Sequence, residues 1–457
     1  MKKIVSLLLV MVMLLALAAC TPAEPTATAP TNPVPTTPAP TDPKPTEPAP
    51  TDPQPSVNVM THAEYMAAED GTAVVVEFFV QATQSWWDNK ITIYGQTPEG
   101  GYFGYEVACT QEEAAKLVPG TKVRLTGERG SWAGEIEVMN ATLEILEGET
   151  WIAEPVDVTV LLSTEELINH QNKLVVFKGM TVEAIAYKNN EPGDDIYVTL
   201  SRNGVSYSFC VERYLTGPET EVYQAVQALE VGDVITVEGF LYWYEDVNTH
   251  ITAVTAYTNA HEAYLAAEDG TAVSVEFYVQ ATQSWWDNKI TIYGQTAEGG
   301  YFAYEVACSE DEAAKLVPGT LIRITGDRGS WAGEIEVMNG TIEFLDGINW
   351  IAPATDVTAL LGTEELIKHQ NEKVAFKGLT IEAISYKNGE PGDDIYVTVS
   401  YNGASYDFCV ERYLTGPDTD VYKAFAELQA GDVVDIEGFL YWYEAVNTHI
   451  TSVTKAA

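Results

Sequence analysis

The chain has 457 residues, with 67 acidic and 24 basic side chains and a formal net charge of −43. Nucleic-acid affinity is drawn from Lys and Arg that displace counterions from phosphates, so an acidic chain without a Lys/Arg-rich run disfavours nucleic acid as a partner. The five cysteines and six histidines show neither HExxH nor Cys/His zinc spacing, and no metal or other cofactor is expected.

Lys2 and Lys3 precede an apolar run from Ile4 to Ala19. This is shorter than the roughly 20 residues a bilayer span needs, so residues 1–19 read as a signal peptide. The run ends in Leu17-Ala18-Ala19-Cys20. That ending resembles the bacterial lipobox. The resemblance implies diacylglycerol on the Cys20 thiol, removal of the segment before it, and anchoring on the extracytoplasmic face of the cell membrane. Residues 20–59 form a linker, and thirteen of the 22 prolines lie between Thr21 and Ser56. Proline fixes φ and removes a donor, which favours an extended stalk outside the fold. At about 3.1 Å per residue its reach is on the order of 110 Å.

Beyond the stalk the sequence repeats at an offset of 199 residues. Ala82–Thr97 recurs unchanged as Ala281–Thr296, and Glu238–Glu245 as Glu437–Glu444. Each unit holds two related halves. Gly120–Gly127 and Gly232–Gly239 alternate polar and apolar residues between two glycines, each after a helix-prone segment, Gln111–Leu117 and Glu221–Leu229. Cys109, Cys210, Cys308 and Cys409 take equivalent places in the halves, which predicts buried free thiols. Four domains follow, at 60–150, 151–257, 258–349 and 350–457. Residues 61–259 hold 31 acidic and 10 basic side chains and residues 260–457 hold 32 and 11, so the acidity is spread evenly.

In the first domain, period-2 patterning predicts strands at Thr72–Thr83, Lys90–Gln96, Tyr102–Ala108, Lys122–Glu128 and Glu135–Leu146, with the helix between the third and fourth. The order β-β-β-α-β-β resembles the OB-fold, a five-stranded Greek-key barrel. The fold class expected is therefore mostly β, with four tandem OB-fold-like five-stranded barrels. An immunoglobulin-like sandwich is the alternative, and it leaves the helix unexplained. The whole chain resembles Gram-positive surface lipoproteins with tandem OB-like domains.

OB domains bind ligands on the face of strands 2 and 3, flanked by the 1–2 and 4–5 loops. The 1–2 loop carries Trp86, Trp87, Asp88 and Asn89, and the 4–5 loop Arg129 and Trp132. The third domain repeats them as Trp285, Trp286, Asp287, Asn288, Arg328 and Trp331. Three indole rings at one pole, beside carboxylate and amide groups, suit the apolar faces and hydroxyl edges of a sugar ring. The expected function is a non-catalytic extracellular protein that binds a carbohydrate. The alternatives are a module that contacts a surface protein, with the tryptophans packed between domains, and nucleic-acid binding inherited from the fold. Glu191, Asp194 and Asp195 form an oxygen-rich turn without EF-hand spacing and read as a solvated acidic loop rather than a Ca²⁺ site. No GxSxG elbow, P-loop or GxGxxG after a strand is present, so no catalysis is expected.

Overall fold

The computed structural model describes residues 58–456. The expected signal peptide, the Cys20 lipidation site and nearly all of the stalk lie outside the described residues. The first barrel begins with a short helix, α1 (His62–Ala67), whose Thr61 and Glu64 form a capping box. Strand β1 (Ala73–Thr83) then sends Val74, Val76, Phe78 and Val80 inward, all buried. That is the period-2 pattern that places every second residue on one face. With β2 (Lys90–Gln96), β3 (Gly101–Ala108), β4 (Lys122–Trp132) and β5 (Glu135–Ile145) it closes a barrel in the order β1-β2-β3-β5-β4. Helix α2 (Gln111–Ala114) lies between β3 and β4. Strand β4 runs four residues past its predicted end, so Arg129 to Trp132 belong to the strand. The turn consists of Ala133 and Gly134, both at positive φ.

The second sheet comprises β6 (Val156–Asp157), β7 (Leu174–Tyr187), β8 (Ile196–Arg202), β9 (Val205–Val211), β10 (Val234–Phe240), β11 (Trp243–Tyr244) and β12 (Asp246–Ala256). Helix α3 (Glu221–Gln227) again precedes the fourth long strand. The order is β10-β12-β9-β8-β7-β6, and β10 also pairs with β7, so the sheet curls back on itself.

The third barrel, after α4 (Ala260–Ala266), repeats the first as β13 (Ala272–Thr282), β14 (Lys289–Gln295), β15 (Gly300–Ala307), β16 (Leu321–Trp331) and β17 (Glu334–Phe344), with α5 (Glu310–Ala313). The fourth sheet follows the second as β18 (Thr355–Asp356), β19 (Lys373–Tyr386), β20 (Ile395–Tyr401), β21 (Ala404–Val410), β22 (Val433–Phe439) and β25 (His449–Lys455), with helix α6 (Asp420–Phe425) before β22 and a separate hairpin of β23 (Trp442–Tyr443) and β24 (Ala445–Val446) between β22 and β25. The protein is mostly β, with four tandem sheets, and short helices flank each. The first and third close as five-stranded barrels. The second and fourth carry an extra short strand at one edge. Cys109, Cys210, Cys308 and Cys409 are buried free thiols.

The outer face of β2 and β3 is covered by the next sheet. Tyr94 from β2 and Phe103 from β3 form a buried cluster with Phe240. The Tyr94 and Phe240 rings stack at 4.5 Å. The Tyr94 hydroxyl and His250 Nδ1 share a hydrogen bond at 2.7 Å, and Tyr242 stacks on the His250 ring at 4.3 Å. The Leu174 N–H donates to Gln96 Oε1 at 2.8 Å. Gly101 allows the closest approach: a Cβ there would lie 2.2 Å from the Asn172 carbonyl carbon. The second pair repeats the joint, with Tyr293 stacked on Phe439 at 4.6 Å and bonded to His449 at 2.6 Å. Between the pairs, Glu298 accepts from Arg202 at 3.0 Å and from the Tyr257 hydroxyl at 3.2 Å.

Phe240→Ala should cost about 3–5 kcal/mol, as for other large buried aromatics. Chemical denaturation should show the loss, and Phe439→Ala should produce a matching loss at the second joint. A change below about 1 kcal/mol would mean that the joint is not packed as described.

Candidate binding surface

The two-residue turn after β1 explains much of the first tryptophan motif. The Trp87 and Lys90 backbones bond to each other in both directions, at 3.1 and 2.9 Å. Asp88 and Asn89 between them take φ of 47° and 60°. Two consecutive positive φ values define a type I′ turn, which favours Asn and Asp. Asp88 and Asn89, like Asp287 and Asn288, therefore have a conformational reason to be there. The Trp86 Nε1–H donates to the Cys109 carbonyl at 3.1 Å, and its ring packs against the first barrel's core. Trp285 does the same with Cys308 at 3.0 Å. Trp87 and Trp286 stand outside, 61% and 62% exposed.

Arg129 does not face a ligand surface. Its guanidinium pairs with Asp70, which also accepts from the Ser131 hydroxyl at 2.7 Å, and its backbone bonds to Thr72. Arg328 repeats this with Asp269. Both arginines latch the segment before the first strand to the fourth. Trp132 and Trp331 are 63% exposed at the β4–β5 and β16–β17 tips.

The three tryptophans do not share a pole. The turn at Trp87 leads into Lys90, which pairs with Ala108 at the end of β3, and Ala108 lies beside Thr142 of β5. Trp132 pairs with Glu135 at the start of β5. Seven residues of β5 separate the two ends, which is about 23 Å at the usual rise per residue. One ring is internal, and the other two mark opposite ends of the β3–β5 face.

Further aromatic residues lie between those ends. Tyr105 is exposed on β3, its ring 6.4 Å from Phe103, and Phe103 is 5.4 Å from Tyr242 of the second sheet. Tyr244, also exposed, precedes Glu245, whose N–H donates to Ala133 at the Trp132 turn at 2.6 Å. Trp87, Tyr105, Tyr242, Tyr244 and Trp132 thus mark a row along the edge of the joint. The second pair repeats it as Trp286, Tyr304, Tyr441, Tyr443 and Trp331. At the Trp286 end is a groove of about 350 Å³, lined by Ser284, Trp286, Lys289, Tyr304, Glu305 and Tyr413. The cations there are few. Lys289 is held by Glu305 at 2.8 Å and Arg412 lies over the Tyr413 ring at 4.8 Å, as in the first pair Lys90 is held by Glu106 at 2.7 Å and Arg213 lies over the Tyr214 ring at 4.9 Å.

Two carboxyls sit beside the row. Glu135 is fully buried, and its Oε2 accepts the Trp243 N–H at 2.8 Å. Burial raises its pKa to about 8, against the lowering effect of that bond and of Asn172. Burial also raises Glu137 to about 6. On sequence both alternate with the core residues Ile136 and Val138, which predicts exposure. The second sheet covers them instead. The acidic turn is also different from its expected solvated form. Asp195 is buried, bonded by Lys188 at 2.7 Å and by the Arg213 N–H at 3.1 Å, so these ligands are already committed. Among the described residues no three His, Cys, Asp or Glu side chains are grouped to hold a metal ion.

No family model matches the chain, and no curated protein matches it. Solved structures do. The p204 HINb domain is 12% identical, with 42% of this chain and 100% of that chain covered and a TM-score of 0.23. A murine DNA-binding protein bound with dsDNA is 11% identical, with 40% and 96% covered and a TM-score of 0.23. A replication protein A heterotrimer bound to ssDNA is 9% identical, with 62% and 94% covered and a TM-score of 0.15. The last two of these structures hold DNA. The expectation of a carbohydrate ligand with nucleic acid disfavoured is corrected: its premise of three convergent tryptophans fails on the register above.

A carboxyl whose folded pKa lies above its unfolded value keeps its proton longer in the native state, so stability falls as pH rises between the two values. Glu135 and Glu334, both raised to about 8, place part of that fall between about pH 6.5 and 8. The buried histidines, lowered from 6.5, act only below this window. The wild-type melting temperature should therefore drop from pH 6.5 to 8. Glu135→Gln with Glu334→Gln should make that drop shallower, with a melting temperature higher by about 2–4 °C at pH 8. Equal slopes in both proteins would reject the buried-carboxyl assignment.

Proposed function

We propose that each pair of sheets is a non-catalytic binding module for single-stranded nucleic acid, which it takes by stacking bases on the exposed aromatic row. The observation that carries this reading is the placement of Trp87, Tyr105, Tyr244 and Trp132 at the open margin of the β3–β5 face. OB-folds bind single strands on the strand 2–3 face and at the 1–2 and 4–5 loops that flank it; those loops carry Trp87 and Trp132 here, and exposed rings supply stacking that tolerates any base. The covered half of the face, at Tyr94 and Phe103, takes no part. A span of about 23 Å accommodates a site of about four nucleotides, the lower end of the range for one OB-fold.

The charge distribution fixes how such binding depends on salt. With the cations at the row either paired or stacked on a ring, one or two phosphates at most are neutralised. The slope of log K against log salt should then be about −0.7 to −1.4. Affinity for (dT)12, followed by fluorescence anisotropy, should fall less than about tenfold between 50 and 200 mM salt. Trp87→Ala with Trp286→Ala should weaken it by about 1–3 kcal/mol per lost stack. No binding at either salt concentration, or unchanged affinity in the double variant, would reject the reading.

The location belongs to the same proposal. Lys2, Lys3, the apolar run and Leu17-Ala18-Ala19-Cys20 support a lipid-anchored form on the extracytoplasmic face of a bacterial membrane. Labelled palmitate should enter the wild-type chain and not Cys20→Ala. Equal labelling of both would reject Cys20 as the acylated residue.

A further inference from the structure

The groove at the Trp286 end of the second joint carries groups that the aromatic row does not use. Its volume is about 350 Å³, and Trp286, Tyr304 and Tyr413 all line it. These residues are 62%, 43% and 49% exposed. Neighbouring elements bring them together. Trp286 stands in the β13–β14 turn, and the Ser284 N–H just before it donates to the Tyr413 carbonyl at 2.7 Å. Tyr304 lies on β15, its ring 6.4 Å from that of Phe302. Tyr413 follows β21 of the fourth sheet and stands outside the row.

The charges in this groove leave one carboxylate oxygen unused. Lys289 donates to Glu305 Oε2 at 2.8 Å, and the Tyr304 hydroxyl donates to Glu305 Oε1 at 3.1 Å. That pair is neutral and complete. Arg412 lies over the Tyr413 ring at 4.8 Å and meets Asp393 at 3.5 Å, so its charge is balanced too. Glu411 also lines the groove. Its Oε2 accepts the Tyr413 and Leu414 N–H groups at 3.0 and 2.9 Å. Its Oε1 accepts no bond among the described residues and is not sealed from solvent. The first pair has the same set in Trp87, Tyr105, Tyr214, the Lys90–Glu106 pair and Glu212, whose Oε2 accepts the Tyr214 and Leu215 N–H groups.

This chemistry narrows the ligand. Aromatic faces attract cations, and the Arg412 guanidinium already uses Tyr413 in this way. A primary ammonium brings three donors, for which the groove's carboxylates offer one unused oxygen. An alkylated ammonium brings fewer donors or none, and its carbon groups pack on the rings. The chain's charge of −43 raises the local concentration of any cation. We propose that the groove at Trp286, Tyr304 and Tyr413, and its counterpart at Trp87, Tyr105 and Tyr214, bind a small alkylated ammonium ion, with Glu411 or Glu212 as its counter-ion. This goes beyond the single-strand reading and does not rest on it.

The test titrates the full chain at pH 8, where Glu411 and Glu212, raised to about 7 by burial, are ionised. Choline chloride is run against sodium chloride at equal ionic strength and followed by tryptophan fluorescence. Choline should bind saturably, about tenfold more tightly than its neutral carbon isostere dimethylbutanol. Tyr413→Ala with Tyr214→Ala removes one half-exposed ring from each groove and leaves the backbone carbonyls in place. Glu411→Gln with Glu212→Gln removes the charge and keeps an oxygen for the two N–H groups. Both variants should melt near the wild-type temperature and bind choline about three- to tenfold more weakly. If the glutamine variant fails to fold, the tyrosine variant decides. No saturable choline binding, equal affinity for the isostere, or unchanged choline affinity in either folded variant overturns the proposal. Affinity for (dT)12, measured in parallel, reports on the single-strand reading alone, so its loss leaves the choline result to stand by itself.

Discussion

The contact on which the structure depends is the seating of the second sheet on the outer face of β2 and β3. Tyr94 stacks on Phe240, bonds to His250, and lies within a cluster closed by Phe103. Aromatic burial of this kind supplies a large share of interface stability. It also decides what remains for a ligand. Half of the surface that OB-folds use for recognition is internal here. The remainder is the margin that carries Tyr105, with Trp87 and Trp132 at its ends. The joint also gives Glu135 and Glu137 their character, because without the second sheet they would be ordinary solvated carboxylates on an outer face.

The fourfold arrangement was legible in the sequence because its signals are local. Alternating apolar residues in β1, glycine-bounded strands and the 199-residue offset each follow from backbone periodicity. The buried free thiols followed from their equivalent positions. The candidate site was less legible. Trp86 and Trp87 are neighbours in sequence, yet the strand geometry sends one ring inward and the other out. Arg129 looked like a loop residue because β4 was ended at Glu128. Asp88 and Asn89 resembled polar contacts and prove to be turn formers. Tyr105 and Tyr242 gave no separate signal, because their proximity arises from two sheets meeting, which no local pattern encodes.

Duplication preserved the joint within each pair more fully than the link between pairs. Every principal contact at Tyr94 has its counterpart at Tyr293. The link made by Arg202 and Tyr257 to Glu298 has no such counterpart. The equivalent positions in the second unit are Tyr401 and Ala456, and the equivalent glutamate in the first is Glu99. The pair is thus the repeated structural unit, and the bond between pairs belongs to the single junction where it is used.

Sealing of the β2–β3 face by the second sheet is reported by the ionisation of His250 and His449. Both rings lie inside the joints against Tyr94 and Tyr293, and burial lowers their pKa from 6.5 to about 4. Site-resolved NMR titration of the two imidazoles should find them neutral from pH 7 down to about pH 4. Rings that gain a proton near pH 6.5, as exposed histidines do, would show that water reaches the joint and that the β2–β3 face is open.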